Sequence, residues 1–262
     1  LNSADDGSAS LLRDLTLNAG DGDFAVNNAV GNTQHGRLGD VTVVSAADVT
    51  VNPGQAFKAT TFTQQAGFNA TTFGGVVSTT GQNADGYGID ITGTHATFNG
   101  AVTTTGSGAV RIDNVGVLTV GPSAAFDVDG AFTQLSTNGT GGVRLASNIT
   151  TADAPLSFAD AITLDGNIAL DSSSSASTGG LVSFGDRVDS ATGTAYSLAV
   201  TAGAGNVEFA PAARVGSQTR LSKVSISGAD LTLRDVSTTS QGQTYTASGT
   251  IYTNSTYSSE AG

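Results

Sequence analysis

Apolar and polar residues alternate along this chain in short runs that are separated by Gly, Ser, Thr and Asn. In TFNGAVTTTGSGAVRID (residues 97–113) and again in FDVDGAFTQLSTNGTGGVRLAS (residues 126–147), each run carries Val, Ile, Leu or Phe on one side and Thr, Asp or Arg on the other. A period of two residues is typical of β-strands that bury one face. The pattern therefore predicts many short strands joined by tight turns, without helices of consequence.

The alternating runs form a repeat that can be aligned on a Gly at the end of the first strand. The aligned glycines and the apolar residues two positions later are Gly75 with Val77, Gly100 with Val102, Gly130 with Phe132, and Gly166 with Ile168. The second strand of each unit carries Ile89 and Ile91, Val110 and Ile112, Val143 and Leu145, and Leu181 or Val182 with Phe184. The glycines are 25, 30 and 36 residues apart. Apolar positions that recur in each unit, separated by spacers of variable length, are typical of stacked solenoid coils.

We therefore expect an all-β protein that folds as an elongated β-solenoid, in the form of a right-handed parallel β-helix. In this fold each unit buries its apolar face only against the next unit, so the stack makes the core. The alternative is a series of tandem small β-sandwich repeats. The two differ in strand pairing, which is parallel in the solenoid and antiparallel in the sandwich.

A longer repeat encloses the first, because residues 15–51 resemble residues 198–236 at an offset of about 183 positions. The matched residues are Ala19-Gly20 with Ala202-Gly203, Phe24 and Val26 with Val207 and Phe209, Leu38 with Leu221, and Val41 and Val43 with Val224 and Ile226. We divide the chain accordingly. Residues 1–71 open one long period, residues 72–191 form a central solenoid array, and residues 192–262 start the next period and end in a linker-like tail.

Composition and charge narrow the function classes. The chain has a net charge of −12, and its acidic residues are 20 Asp (22 − 2) and 2 Glu, of which Asp is the residue that suits turns. A chain of this charge repels nucleic acid and anionic membranes, so we expect neither as a partner. The absence of Cys removes disulfides and thiolate chemistry. No run reaches the roughly 18 apolar residues of a membrane span, and a chain that begins with Leu and lacks Met is expected to be an excerpt of something longer.

The second copy of the long repeat carries a resemblance to a known class of proteins. Its pattern consists of AGAGNVEF (residues 202–209), Val215-Gly216, Leu221, VSI (residues 224–226), LTLRDV (residues 231–236), Thr238-Thr239 and GQTY (residues 242–245). This pattern resembles very large bacterial surface proteins with tandem β-strand repeats, which are filamentous-haemagglutinin-like in a broad sense. The resemblance covers about residues 15–245 and implies a secreted β-helix at the cell surface that serves as adhesin, filament or surface layer. It supplies no set of functional residues to transfer.

The expected partners follow from this resemblance: neighbouring repeats of the same long chain, cell-surface glycans, or other copies of the chain. We expect no enzyme activity, no catalytic residue, no cofactor and no metal site. The alternative is a β-helical polysaccharide hydrolase or lyase. For that chemistry the candidates are Asp127 and Asp129 in FDVDG, whose carboxylates would face outward about 7 Å apart along a strand. The other interpretation of this pair is that both are solvated strand and turn carboxylates.

Five further sequence patterns suggest chemistry. His35 with Asp40 and His95 with Asp90 could be combined with a Ser into a triad, but Ser is so abundant that this carries no signal, and we expect both to be exposed turn histidines. Asp21 and Asp23 resemble a fragment of a calcium-binding turn, although the copy at residues 203–209 lacks both carboxylates. Thr pairs suggest an ice-binding face, which the unequal spacings of the repeat argue against.

Arg111 and Arg144 occupy the same place in consecutive units, either as a row that binds acidic partners or paired with nearby acids such as Asp113. Glycosylation sequons at Asn69, Asn138, Asn148 and Asn254 are what an Asn- and Thr-rich composition yields by chance.

Overall fold

The computed structural model describes residues 12–31, 36–137, 141–175, 177–239, 241–253 and 256–260. The described residues form β-strands, turns and bends, and none of them is helical. The strands are β1 (Leu15–Asn18), β2 (Phe24–Val26), β3 (Leu38–Ser45), β4 (Val49–Val51), β5 (Phe57–Gln64), β6 (Ala70–Phe73), β7 (Val77–Thr79), β8 (Tyr87–Gly93), β9 (His95–Phe98), β10 (Val102–Thr104), β11 (Ala109–Asn114), β12 (Val117–Val120), β13 (Phe126–Val128), β14 (Phe132–Leu135), β15 (Gly142–Leu145), β16 (Ile149–Thr151), β17 (Leu156–Phe158), β18 (Ile162–Leu164), β19 (Ile168–Asp171), β20 (Val182–Phe184), β21 (Val188–Ser190), β22 (Ser197–Thr201), β23 (Val207–Phe209), β24 (Lys223–Gly228), β25 (Leu231–Leu233), β26 (Val236–Thr238), β27 (Gln243–Ala247), β28 (Ile251–Thr253) and β29 (Tyr257–Ser259).

The strands stack into a parallel β-solenoid of about ten turns with three faces. From β7 onward a turn contributes one strand to each face in chain order, as β7, β8 and β9 do. The first face stacks β7, β10, β13, β16, β19, β22, β24 and β27. The second face stacks β1, β3, β5, β8, β11, β14, β17, β20, β23, β25 and β28. The third face stacks β2, β4, β6, β9, β12, β15, β18 and β21, which the single bridge residue Val215 links to β26 and β29.

Every pairing between these strands is parallel, so the predicted solenoid is confirmed and the alternative of tandem β-sandwiches is wrong. The handedness of the coil and the division of the chain at residues 71 and 191 stay predictions. The long strand β5 shows how the faces join, because its start at Phe57 pairs with β7 on the first face and its end at Phe62 pairs with β8 on the second. The corner between these two faces is therefore passed without a break in the strand.

The core is a continuous apolar column inside the coil. Inward residues alternate with outward ones along each strand, and the inward Val, Ile, Leu and Phe of successive turns are buried against each other. Nine of the eleven Phe form one chain of ring contacts along the axis, with centroids 4.5 to 6.1 Å apart. These rings are Phe57, Phe62, Phe73, Phe98, Phe126, Phe132, Phe158, Phe184 and Phe209. The packing that the repeat pattern predicts is confirmed.

Short acidic and amide side chains connect one turn to the next at the corners. Asp48 accepts a hydrogen bond from the backbone N–H of Ala70 at 3.0 Å, and Asp230 accepts one from Thr250 at 2.7 Å. Among the described residues, the Asp and Asn side chains that accept a backbone N–H of the following turn include Asp14, Asp23, Asp48, Asp113, Asn148, Asp153, Asn167, Asp189, Asn206, Asp230 and Asp235. Because the short side chain holds its oxygen close to the backbone, Asp suits this role better than Glu, which accounts for their unequal use.

The predicted register of the repeat is correct for its first two units and wrong for the third. In the fourth unit it is correct for the second strand, where Val182 continues the column of Val110 through Leu156. Gly75 and Gly100 do stack, since a Cβ built on Gly100 would lie 2.3 Å from the carbonyl carbon of Gly75, and Val77 pairs with Val102. Phe132, in contrast, belongs to the second face. There it pairs with Val110 and Leu156, while Phe126 is the register partner of Val102.

Val143, predicted for the second strand of the third unit, shifts in the same way to the third face, where it pairs with Leu118 and Ile162. Ile168 does lie on the first face, but Leu170, two residues later, occupies the register position there. The true turns are also more regular than 25, 30 and 36 residues. On the second face the successive register partners Val41, Phe62, Ile89 and Val110 are separated by 21, 27 and 21 residues. All three faces bury the same kinds of side chain, so the sequence does not distinguish one face from another.

The long repeat reproduces a local turn but changes face. Gly20 and Gly203 both have positive φ, of 58° and 56°, and the N–H two residues later bonds back to the preceding Ala in each copy. The strand after this turn belongs to the third face in the first copy, where Phe24 pairs with Val49. In the second copy it belongs to the second face, where Val207 pairs with Val182. The match therefore describes a strand–turn–strand unit that is used at two different positions around the axis.

Candidate functional site

The predicted acidic pair is not a pair of free carboxylates. Asp129 accepts a hydrogen bond from the backbone N–H of Ser107 at 2.7 Å, and its own N–H donates to the hydroxyl of Thr104. Asp127 points outward from the first face between its register partners Thr103 and Thr150. The structure thus gives Asp129 a corner role like that of the other acidic residues, and it places hydroxyls beside Asp127.

The histidine candidates are not brought together with their proposed acids. His35 lies outside the described residues, while Asp40 accepts a hydrogen bond from the hydroxyl of Thr61 at 2.7 Å. His95 starts a strand of the third face, and its Nδ1 accepts the backbone N–H of Val117 at 2.9 Å. Asp90, on the second face, pairs with Arg111 instead.

The candidate calcium turn shows no converging ligands among the described residues. Asp21 and Asp23 are both exposed, and Asp23 accepts a long hydrogen bond of 3.3 Å from the N–H of Asp48. In the part of the chain that the structure describes, no three His, Cys, Asp or Glu side chains group closely enough to hold a metal ion. The same described part contains no helix long and apolar enough to cross a membrane.

Threonines do form an axial row, so the prediction that unequal spacings prevent one is wrong. Thr50, Thr72, Thr97 and Thr119 are successive register partners on the third face. Strands stay aligned because the extra residues of longer turns are taken up at the corners. The row is one residue wide, since the outward neighbours of Thr97 along its strand are His95 and Asn99.

The two arginines do not form a row. Arg111 lies on the second face and Arg144 on the third, so the prediction that they share a place in consecutive units is wrong. Both are in ion pairs. Arg111 bonds to Asp90 and not to Asp113, and Arg144 bonds to Asp165 at 2.7 Å. Pairing between turns, rather than along one strand, is what parallel stacking makes easy, because register partners lie about 4.8 Å apart.

Two of the four sequons fall on described residues, where their Asn side chains take part in contacts between turns. The amide of Asn69 donates to Asp48 at 3.2 Å, and the carbonyl oxygen of Asn148 accepts the N–H of Ala169 at 2.8 Å. Asn138 and Asn254 lie outside the described residues.

A feature that the sequence patterns did not predict is a groove on the second face, which we call the second-face groove. It is open, has a volume of about 600 Å³ and runs across five turns. One side is the outward row of strands β14, β17, β20, β23 and β25, whose members are successive register partners: Thr133, Ser157, Ser183, Glu208 and Thr232. The floor consists of the small residues that follow the strands, namely Ala159, Gly185 and Ala210.

The groove exists because the residue after each buried Phe is small. Three successive turns read Ser-Phe-Ala (157–159), Ser-Phe-Gly (183–185) and Glu-Phe-Ala (208–210), in which the polar residue points outward, the Phe points inward and the small residue turns the corner. This repeated triplet is a sequence signal that could have predicted the groove. At Gly185 the space is filled by backbone, since a Cβ there would lie 2.7 Å from the carbonyl oxygen of Ala159.

Hydroxyls dominate the polar side of the groove, and two charges stand at one end. Ser183 donates to the hydroxyl of Ser157 at 2.9 Å, so these two members of the row are joined through their side chains. Glu208 is exposed, and Arg234 lines the groove one turn further on. The Nε atom of Arg234 is buried and has no hydrogen-bond partner among the described residues. The groove therefore offers hydroxyl donors and acceptors, one carboxylate, one guanidinium and a shallow apolar floor.

The residues that carry chemistry thus serve mainly to hold turns together, and the second-face groove is one surface on which several polar side chains converge over several turns. In comparisons with known proteins, no family model, no curated protein and no solved structure matches this chain.

Proposed function

We propose that the chain is a structural and adhesive repeat segment of a large secreted bacterial surface protein, one that forms a filament, stalk or surface layer. In this role it presents a repetitive surface to glycans of another cell or to further copies of itself, and many weak contacts add up to firm attachment. It acts outside the cell, and its neighbours along the axis are further repeats of the same long chain.

The observation that carries the proposal is the unbroken apolar column through about ten turns. At about 4.8 Å per turn, such a stack makes a rod on the order of 50 Å long in which every turn supports the next. Outward side chains repeat along its faces at the same interval. A rod with a repeating surface suits length and multivalent contact, and the resemblance to filamentous-haemagglutinin-like repeats supports the same role.

The last described turn supports the proposed neighbours. Ile251 pairs with the buried Leu231 of the turn before it but is itself 41% exposed, and Tyr252 beside it is 55% exposed. Another parallel turn stacked on β28 would cover Ile251 as each earlier turn covers its predecessor. We therefore propose that a neighbouring repeat occupies this end.

The proposal is tested by locating the chain and by measuring attachment. Antibodies raised against the purified chain should label intact cells of the bacterium that produces it, and labelling only after the cells are broken would contradict the proposal. Beads that each carry many copies of the chain should attach to host or bacterial cells. The same amount of free chain, which binds through single weak contacts, should compete only weakly for this attachment. Equal behaviour of beads and bare controls would also contradict it.

The rival function, cleavage of a polysaccharide, needs a separate experiment. Release of reducing or unsaturated sugar ends from a panel of polysaccharides is measured for the wild type and for Asp127→Ala. We expect no release by either protein. Release that Asp127→Ala abolishes would favour the enzyme over the adhesive segment.

A further inference from the structure

We infer that the second-face groove binds a linear, hydroxyl-rich polysaccharide that lies parallel to the solenoid axis. This inference rests on the proposed adhesive function and names the ligand class and its site. It follows from the length of the groove, from the groups that the groove leaves free, and from the charges at its end.

The groove has the dimensions of an extended polymer. Its outward row of five register partners, from Thr133 to Thr232, spans four steps of about 4.8 Å, which gives on the order of 20 Å. Hydroxyls at Ser157 and Ser183 and at both ends of the row can donate and accept in turn. A chain of sugar hydroxyls is the complementary partner, because it also donates and accepts at regular intervals.

The backbone of the groove is already used, which argues against an added peptide strand. Each strand beneath the row is paired on both sides, and the floor residues donate their N–H groups to the preceding turn. Gly185 donates to Phe158 at 2.7 Å, and Ala210 donates to Phe184 at 2.9 Å. A peptide that binds by strand addition needs a free sheet edge. Only side-chain groups and the apolar floor remain available to a ligand.

The charges select among polymers. Glu208 near one end of the row and the net charge of −12 disfavour nucleic acid and other polyanions. Arg234 lines the end of the groove, where the terminal N–H groups of its guanidinium can donate to a sugar oxygen. The floor formed by Ala159, Gly185 and Ala210 lets the C–H face of a sugar ring approach the sheet.

One end of the groove floor, at Ala159, is held in place by the buried side chain of Gln134. Its Nε2 donates to Asp160 at 2.9 Å and to Asn114 at 3.1 Å, and its Oε1 accepts the N–H groups of Ala159 and Asp160. The corner at Ala159 is therefore rigid before any ligand binds, which lowers the entropy lost on binding.

The experiment titrates the isotope-labelled chain with four probes: maltohexaose, cellohexaose, xylohexaose and chitohexaose. We expect at least one of them to shift the amide resonances of the groove row, including Ser157, Ser183 and Thr232. Ala159→Trp, which fills the floor from an exposed position, should weaken this binding by about tenfold or more. The matched control is Ala152→Trp, at an exposed corner residue outside the groove, which should leave the binding unchanged.

Thermal melting of both variants shows whether they fold, and Ser183→Arg blocks the groove from the row if Ala159→Trp does not fold. No shift with any of the four probes, or shifts confined to the other two faces, would overturn the inference. The bead assay separates this inference from the proposed function. If Ala159→Trp beads attach to cells as well as wild-type beads do, the groove assignment is wrong and the adhesive role stands. If wild-type beads do not attach, the adhesive role fails, whatever the probes show.

Discussion

The guanidinium of Arg111 lies directly against the carboxylate of Asp90, its register partner one turn earlier, with Nε 2.8 Å from one carboxylate oxygen and Nη2 2.9 Å from the other. The guanidinium also lies over the ring of Tyr87, 4.9 Å from its centroid. The hydrogen bond to Asp90 raises the pKa of Arg111 above its ordinary value. The pair connects two turns of the second face through side chains, in addition to the backbone ladder.

Removing Arg111 should lower the free energy of unfolding more than removing Asp90. The side chain of Asp90 is 6% exposed and that of Arg111 is 33% exposed. Without Arg111 the carboxylate of Asp90 therefore stays buried and unpaired, whereas without Asp90 the guanidinium of Arg111 can turn to water. We expect Arg111→Ala to lower the free energy of unfolding by about 2–3 kcal/mol, less than for a fully buried pair because Arg111 is partly screened by solvent. Asp90→Ala should cost about 1 kcal/mol.

Urea denaturation of both variants checks this difference, and Arg111→Lys is the control. Lys keeps the charge but not the two-pronged contact, so it should recover only part of the loss. Equal losses for Arg111→Ala and Asp90→Ala would show that burial of the carboxylate does not decide the energetics of this pair.

The stability lost on replacing a Phe by Ala should depend strongly on whether that Phe belongs to the buried chain of rings. Phe98 is fully buried between Phe73, whose ring is stacked on it at 5.2 Å, and Phe126 at 5.0 Å. We expect Phe98→Ala to lower the free energy of unfolding by about 3–5 kcal/mol, through lost transfer energy and the cavity it leaves. Phe68 is 56% exposed at a corner, and Phe68→Ala should stay within about 0.5 kcal/mol of the wild type. Chemical denaturation of the two variants measures both values, and similar losses would contradict the assigned core.

The sequence predicts the architecture well because alternation is a local property. Val77 and Val102 can be recognised as equivalent from the Gly before each of them, and the structure pairs them. Phe132 follows a Gly in the same way, yet it lies on the next face. Inward residues of all faces are chemically alike, and the number of residues at a corner decides the face, so the register needs the three-dimensional path of the turns.

The second-face groove was harder to predict, because it is formed by small residues, which leave space where a larger side chain would fill it. Ala159, Gly185 and Ala210 read as ordinary turn residues, and only their stacking in successive turns opens a groove beside Ser157 and Ser183. The candidates that sequence reasoning singled out, such as Asp129, are polar residues that the fold uses for its own backbone. In a chain rich in Asp, Ser and Thr, residue type alone does not separate such structural roles from binding roles.

Gly75 and Gly100 stack so closely that a side chain introduced at Gly100 would clash with the backbone. A Cβ on Gly100 would lie 2.3 Å from the carbonyl carbon and 2.4 Å from the oxygen of Gly75, both of them backbone atoms that cannot rotate away. We expect Gly100→Ala to lower the free energy of unfolding by about 1–3 kcal/mol, as overpacking does. Gly142 is the matched control, because its Cβ would meet a backbone oxygen only at 3.5 Å, and Gly142→Ala should be neutral or slightly stabilising. Melting temperatures rank the two variants, and the reverse order would contradict the stacked geometry.

The last prediction concerns pH and the corner formed by Asp153. Its carboxylate accepts hydrogen bonds from the hydroxyl of Ser174 at 2.5 Å and from the N–H of Ser174 at 2.7 Å. These bonds, together with a smaller contribution from Thr178, hold the pKa of Asp153 below its ordinary value. A carboxylate with a lowered pKa in the folded state stabilises the fold above the pKa of the unfolded chain, about 3.9, and this contribution is lost as the pH falls through the folded pKa.

We therefore expect the amide resonance of Ser174 to titrate with a midpoint below about 3.9. In Asp153→Asn this titration should disappear. Asn keeps an acceptor oxygen and tolerates the positive φ of 58° at this position, so the turn itself should survive the change. Asp127→Asn, at an exposed position of the first face, should leave the Ser174 titration as it is in the wild type. A Ser174 midpoint at or above the ordinary Asp value, or one that persists in Asp153→Asn, would mean that a different group titrates at this corner and that the two turns are not joined there by a carboxylate.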